Sequence, residues 1–117
     1  MTEHTLLCDD VPLAAIEQAI GTSFVTDEAS GLVGAIVAGD DGSTAVEILV
    51  LEDNVWNDED EQDEHVRSFR RSLILTGSQS PGVARRVFDV VALLSRAMLF
   101  RDFGTLIAEA AAPVAAE

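Results

Sequence analysis

The stretch SQSPGVARRVFDVVALLSRAMLFRDFGTLIAEAAA, residues 78–112, decides the fold, because it carries either one long helix or several shorter elements. Ser80 stands where a cap belongs, Pro81 at the first helical position and Gly104 at a stop, so the punctuation predicts a helix from Pro81 to Phe103. Val83, Val87, Val90, Val91, Leu94, Ala97 and Met98 recur at helical spacing and would form its inner stripe. Phe88, Leu93 and Phe100 would widen the apolar surface on the flanks of that helix. Residues TLIAEAAA read as a short final helix, and residues 113–117 as a frayed tail.

Upstream, FRRSLILTG at residues 69–77 reads as a strand with Phe69, Leu73 and Leu75 on one side. GLVGAIVA and STAVEILVLE are joined by Gly39-Asp40-Asp41-Gly42, turn chemistry that predicts a β-hairpin. Both parities of these strands carry apolar residues, Leu32, Ile36, Val46, Ile48 and Val50 against Val33, Val37, Leu49 and Leu51. Both faces of the hairpin are therefore expected to be partly covered. Before them, SFVTDE is a short strand, and VPLAAIEQAI is a helix with Asp9 and Asp10 at its start, Leu13, Ile16 and Ile20 on one face, and Gly21 at its end. HTLLC reads as a first short strand that buries Cys8. The sum is a single α+β domain over residues 1–117: a small antiparallel sheet of three to five strands, with an N-terminal helix and a long C-terminal helix packed on it.

Composition supports a folded chain. Hydrophobic residues make up 48% of 117, which sets the protein apart from disordered acidic tails despite its net charge of −14. The charge is unevenly placed: residues 1–66 hold seventeen Asp and Glu with no Arg or Lys, whereas residues 67–117 hold all seven arginines and four carboxylates. Such a chain repels nucleic acid through its first half and favours a basic protein partner, or pairing of its own halves. With no lysine, a Walker-type phosphate lysine and Schiff-base chemistry are excluded. Cys8 is the only cysteine, nothing in MTEHTLLCDD resembles a signal peptide, and no apolar run is long enough to span a bilayer, so a cytoplasmic protein without a membrane partner is expected.

Three stretches are weighed as sites. EDNVWNDEDEQDEH, residues 52–65, carries eight carboxylates around one tryptophan. Read as an EF-hand from Asp58, it places Asp63 where glycine must turn and Phe69 where the bidentate Glu belongs, so no metal and no cofactor is expected there. An indole is out of place in a merely solubilising linker, so Trp56 is either part of the core or an anchor within a charged rim formed by Asp58, Glu59, Asp60, Glu61, Asp63 and Glu64. Second, LTGSQSPGVARR places Ser78, Ser80, Arg85 and Arg86 around a helix start, where an anion is favoured. Cations near a helix N-terminus oppose the macrodipole and call for a compensating negative charge. Third, His4 and Cys8 could pair as base and thiol, but no third group orients them and no G-x-S-x-G, H-E-x-x-H or C-x-x-C is present.

The element order, together with Asn54-Val55-Trp56-Asn57, resembles the type III secretion chaperone-like family and its YbjN-like branch. That branch would place a helix and two strands after Trp56, and the sequence offers one clear strand there before the final helix. The function expected is non-enzymatic: an acidic chaperone, adaptor or immunity-type protein engaging a basic protein, with no nucleic acid, and assembled as a homodimer through the surplus flanks of the long helix. The alternative is a small enzyme or ligand sensor using the anion-friendly turn at residues 77–86.

Overall fold

The computed structural model describes residues 3–52, 64–102 and 105–112, with the backbone alone at residues 65 and 67. Seven strands, β1 (Glu3–Cys8), β2 (Val25–Thr26), β3 (Val33–Ala38), β4 (Ala45–Leu51), β5 (Arg71–Thr76), β6 (Ala97–Arg101) and β7 (Thr105–Ala110), form one sheet in the order β2-β3-β4-β5-β1-β6-β7. Every neighbouring pair is antiparallel. Helices α1 (Leu13–Ile20) and α3 (Pro81–Ala92) pack against each other over one face, and the single turn α2 (Glu64–Arg67) precedes β5. The architecture is α+β, but the sheet is larger than the three to five strands expected, and there is no long C-terminal helix.

Helix α3 stops at Ala92, and the stretch read as its second half is β6, followed by β7 where a short helix is expected. The reason is the central strand. HTLLC in β1 is buried on both faces and pairs with β5 along one edge, so its other edge needs a second ladder, which β6 supplies from His4↔Arg101 to Cys8↔Ala97. Because β5 and β6 both run antiparallel to β1, they are parallel to each other, and α3 is the crossover between them. A run such as Ala97-Met98-Leu99-Phe100, buried on both faces of a strand, has no hydrophobic alternation to distinguish it from a buried helix.

The helix-covered face holds the main core: Leu6, Cys8, Val46, Ile48, Val50, Leu73, Leu75 and Leu99 from the sheet, Ile16 from α1, and Val83, Val87 and Val91 from α3. Leu13 and Ile20 pack onto it beside Ile16, as their spacing predicts, and Gly21 ends α1 in the left-handed region at φ 72°. Asp9 and Asp10 do not cap α1; its N-cap is Pro12, without a side-chain hydrogen bond. Burial pushes the Cys8 thiol up to about 12, which keeps it protonated and inert as a nucleophile.

The hairpin forms with register Val33↔Val50, Ala35↔Ile48 and Val37↔Val46, so odd positions of β3 share a face with even positions of β4. Its turn is tied by the Asp41 carboxylate, which accepts from the backbone of Ser43 and Thr44 and from the Thr44 hydroxyl, and these bonds hold its pKa down to about 2. The second face of the sheet is covered only in part. Over β1 and β6, Val66 and Phe69 bury Leu7, Met98 and Phe100, so Phe69 lies opposite Leu73 and Leu75 rather than beside them. Over β3 and β4, Ile36 is 67% exposed.

Arg96, in the turn between α3 and β6, ties this arrangement together. Its guanidinium donates to both Asp9 carboxylate oxygens, at 2.6 and 3.3 Å, and to the Ser68 hydroxyl and carbonyl, at 3.0 and 3.1 Å. It also stacks 4.4 Å over the Phe69 ring. Asp9, expected as a helix cap, is thus the partner that draws the chain out of helix after Ala92, while the Ser95 hydroxyl accepts from the Asp9 backbone N–H.

Candidate functional site

The sequence order of the strands sorts the charge across the sheet. β2, β3, β4 and their loops come from the half of the chain without Arg or Lys, whereas Arg85, Arg86, Arg96 and Arg101 lie on α3, on β6 and in the turn between them. Among the described residues, three pairs join the halves: Arg71 with Glu52 at 2.9 Å, Arg96 with Asp9, and the exposed Arg70 with Asp10 at 3.2 Å. Among the described residues, Asp27, Glu28 and Glu47 have no ion pair, so the β2–β4 end keeps an uncompensated negative field.

A hollow of about 720 Å³ opens on this end, lined among others by Val25, Leu32, Gly34, Ile36 and Leu49, with Asp27 and Glu47 at the same wall. Val25 is 69% exposed. The hollow exists because α1 covers only the opposite face and because Gly34 carries no side chain between Val25 and Leu49; a Cβ there would come within 3.0 Å of the Ile48 carbonyl oxygen. Apolar floor and carboxylate wall suit a ligand that is apolar in part and positively charged in part.

The expected sites are placed as follows. Trp56, Asp58, Glu59, Asp60, Glu61 and Asp63 lie outside the described residues, and Glu64 begins α2 with its side chain exposed. At the anion-friendly turn, Ser78 is exposed, but the buried Ser80 hydroxyl lies 3.0 Å from His4 Nδ1 and makes no helix cap. The negative charge that the arginines call for is supplied from within: the Asp40 carboxylate of the hairpin loop accepts from the Gly82 N–H at 2.9 Å. Arg85 pairs with Asp89 at 3.3 Å and lies 5.4 Å from the Phe88 ring centre, while Arg86 is exposed. Beside this turn is a second hollow of about 340 Å³, lined by His4, Pro81, Arg85, Leu99, Arg101, Thr105, Leu106 and Ile107. Among the described residues, no three His, Cys, Asp or Glu side chains gather as metal ligands, and no helix is long and apolar enough to cross a membrane.

His4 and Cys8, which the sequence offers as base and thiol only without an orienting third group, share a strand face, and His4 makes its contact with Ser80 instead. His4 is buried to 1% exposure, and desolvation holds its pKa below 6.5, against the pull of Asp102 and Asp40. Its neutral folded form gives a pH signature. Below pH 6.5 the unfolded chain takes up a proton that the folded ring resists, so stability rises with pH up to about 6.5 and declines as pH falls beneath it. Urea midpoints measured from about pH 7 down to about pH 5 should fall more steeply for the wild type than for His4→Gln; parallel curves would show that His4 titrates alike in both states.

The hollow over β2–β4 was hidden in the sequence because hairpin parity does not say which apolar side chains lack cover; the one local sign is Gly34 inside a strand pattern. No protein-family description, curated protein or solved structure matches the chain.

Proposed function

We propose that this protein is a non-enzymatic binding protein, of chaperone, adaptor or immunity type, whose acidic end engages a basic protein partner. The observation that carries this reading is the apolar hollow bounded by Val25, Ile36 and Leu49, with Asp27 and Glu47 in its wall and no cation in its half of the sequence. Apolar anchors give such contacts their lifetime, and surrounding charge speeds encounter and rejects acidic competitors.

The test uses a probe peptide, acetyl-Arg-Thr-Val-Thr-Val-Thr-Arg-amide, titrated into the labelled protein at low and high salt. Binding that weakens with salt and is slowed in association by Asp27→Asn with Glu47→Gln supports the reading. Equal binding of the isosteric, uncharged peptide with citrulline in place of arginine, or no binding of either, overturns it.

A second reading, a small anionic ligand held beside the turn at residues 77–86, draws on the 340 Å³ hollow with Arg85 and Arg101 in its wall. Inorganic phosphate should then raise the melting temperature of the wild type and not that of Arg85→Gln with Arg101→Gln.

A further inference from the structure

The mode of engagement is written in the edge of β3. This strand pairs with β4 over six positions, Val33 to Ala38, but with β2 over only two, Val25↔Gly34 and Thr26↔Val33. Backbone polar groups alternate sides along a strand. On the β2 side, the Asp27 N–H donates to the Leu32 carbonyl at 2.8 Å; on the β4 side, the Gly39 N–H donates to the Thr44 carbonyl at 2.7 Å. Even-numbered residues of β3 therefore turn their N–H and C=O outward, and odd-numbered ones toward β4. Gly34 meets β2, but Ile36 and Ala38 lie beyond its end, and among the described residues no hydrogen bond reaches their outward groups. Upstream of Val25 the chain leaves the sheet, and Thr22 and Ser23 line the same hollow as Ile36.

Resting on the function proposed above, we infer that the partner is bound as an extended, cationic strand that adds to β3 beside Ile36 and Ala38, continuing the line that β2 leaves unfinished. Four backbone groups of β3 receive it, two N–H and two C=O. Alternate side chains then project over the same face as Ile36, where an apolar residue meets Val25 and Ile36 and flanking Arg or Lys side chains meet Asp27 and Glu47. A helix laid in the hollow would satisfy the same apolar and charged groups but leave the edge of β3 unpaired. The occupant is cationic because the edge belongs to the half of the chain that has no Arg or Lys. A second copy pairing at this edge would instead set like charges against each other.

Strand addition has a signature that other modes lack: only every second N–H of the ligand faces the edge. Two forms of the probe heptapeptide decide it, one N-methylated at residues 3 and 5 and the other at residues 2, 4 and 6. One of the two should lose at least about tenfold in affinity and the other should bind close to the unmethylated peptide, since a lost edge hydrogen bond is worth about a factor of ten. On the protein side, Ala38→Pro removes an outward N–H that no described residue uses, as edge positions tolerate, and should weaken the unmethylated peptide by about the same factor. If both methylated forms bind as tightly as the parent, or both lose equally, strand addition is wrong while a charged apolar contact stands. If neither the parent nor any variant binds, the functional reading and this inference fall together.

Discussion

Phe100→Ala is expected to cost about 3–5 kcal/mol, a large part of the stability of a domain this size, whereas Leu93→Ala should cost less than about 0.5 kcal/mol. A single long helix would set these two residues, seven apart, on the same flank and make them comparable. The structure separates them. Phe100 lies in β6 at 5% exposure, packed with Leu7, Met98, Val66 and Phe69 on the second face of the sheet, so its removal leaves a cavity that α2 and Phe69 must collapse to fill. Leu93 follows the last turn of α3 at 76% exposure and already contacts water. Urea unfolding at equilibrium checks the pair, with the shift in midpoint at constant slope as the readout. Equal, large losses would restore the continuous helix and remove β6 from the sheet. With Leu93 and Phe100 on separate elements, the surplus helix flank that suggests a homodimer does not exist as one surface.

Arg96→Ala is expected to lower stability by about 2–4 kcal/mol, although a charged side chain in a turn would ordinarily be worth under about 1 kcal/mol. The difference lies in its partners. Arg96 is partly buried, its two-pronged contact with Asp9 joins the turn before β6 to the end of β1, its bonds to Ser68 reach the segment before β5, and its plane covers Phe69. Losing it frees the loop connections of three strands and leaves the partly buried Asp9 carboxylate without its ion-pair partner. Arg96→Lys keeps the charge but not the planar fork or the ring stacking, and should recover less than half of the loss. Thermal melts of the two variants at low and high salt settle the point: a loss that vanishes at high salt in both would reduce Arg96 to an ordinary surface ion pair.

The local signals of the first half of the chain were sufficient for its elements. Asp41, bonded to Ser43 and Thr44, and the Gly39–Gly42 backbone bond close the β3–β4 turn by local chemistry, and Gly21 ends α1 through its own backbone freedom. The separation of charge into an acidic and a basic half is likewise a property of sequence, and contiguous strand pairing in β2–β4 carries it into space. The acidic character of the β2–β4 end was therefore legible, although the hollow itself was not: whether Val25 and Ile36 are covered depends on where α1 comes to rest, and α1 packs on the other face.

In the second half the strand β5 and the start of α3 at Pro81 were legible, whereas the elements after Ala92 were decided by tertiary structure. From Pro81 to Phe100 the residues satisfy a helical stripe and a doubly buried strand equally well, and no glycine or proline stands at the true break after Ala92. What breaks the helix is distant: Asp9 takes hold of Arg96, and the unpaired edge of β1 takes the backbone of Ala97–Arg101. The same is true of the anion-friendly turn, where sequence demanded a negative charge near Arg85 and Arg86 but only the fold brought Asp40 to Gly82. Local chemistry determines turns and stops at short range. The choice between helix and strand in an all-apolar run rests on backbone groups elsewhere that would otherwise be buried without partners.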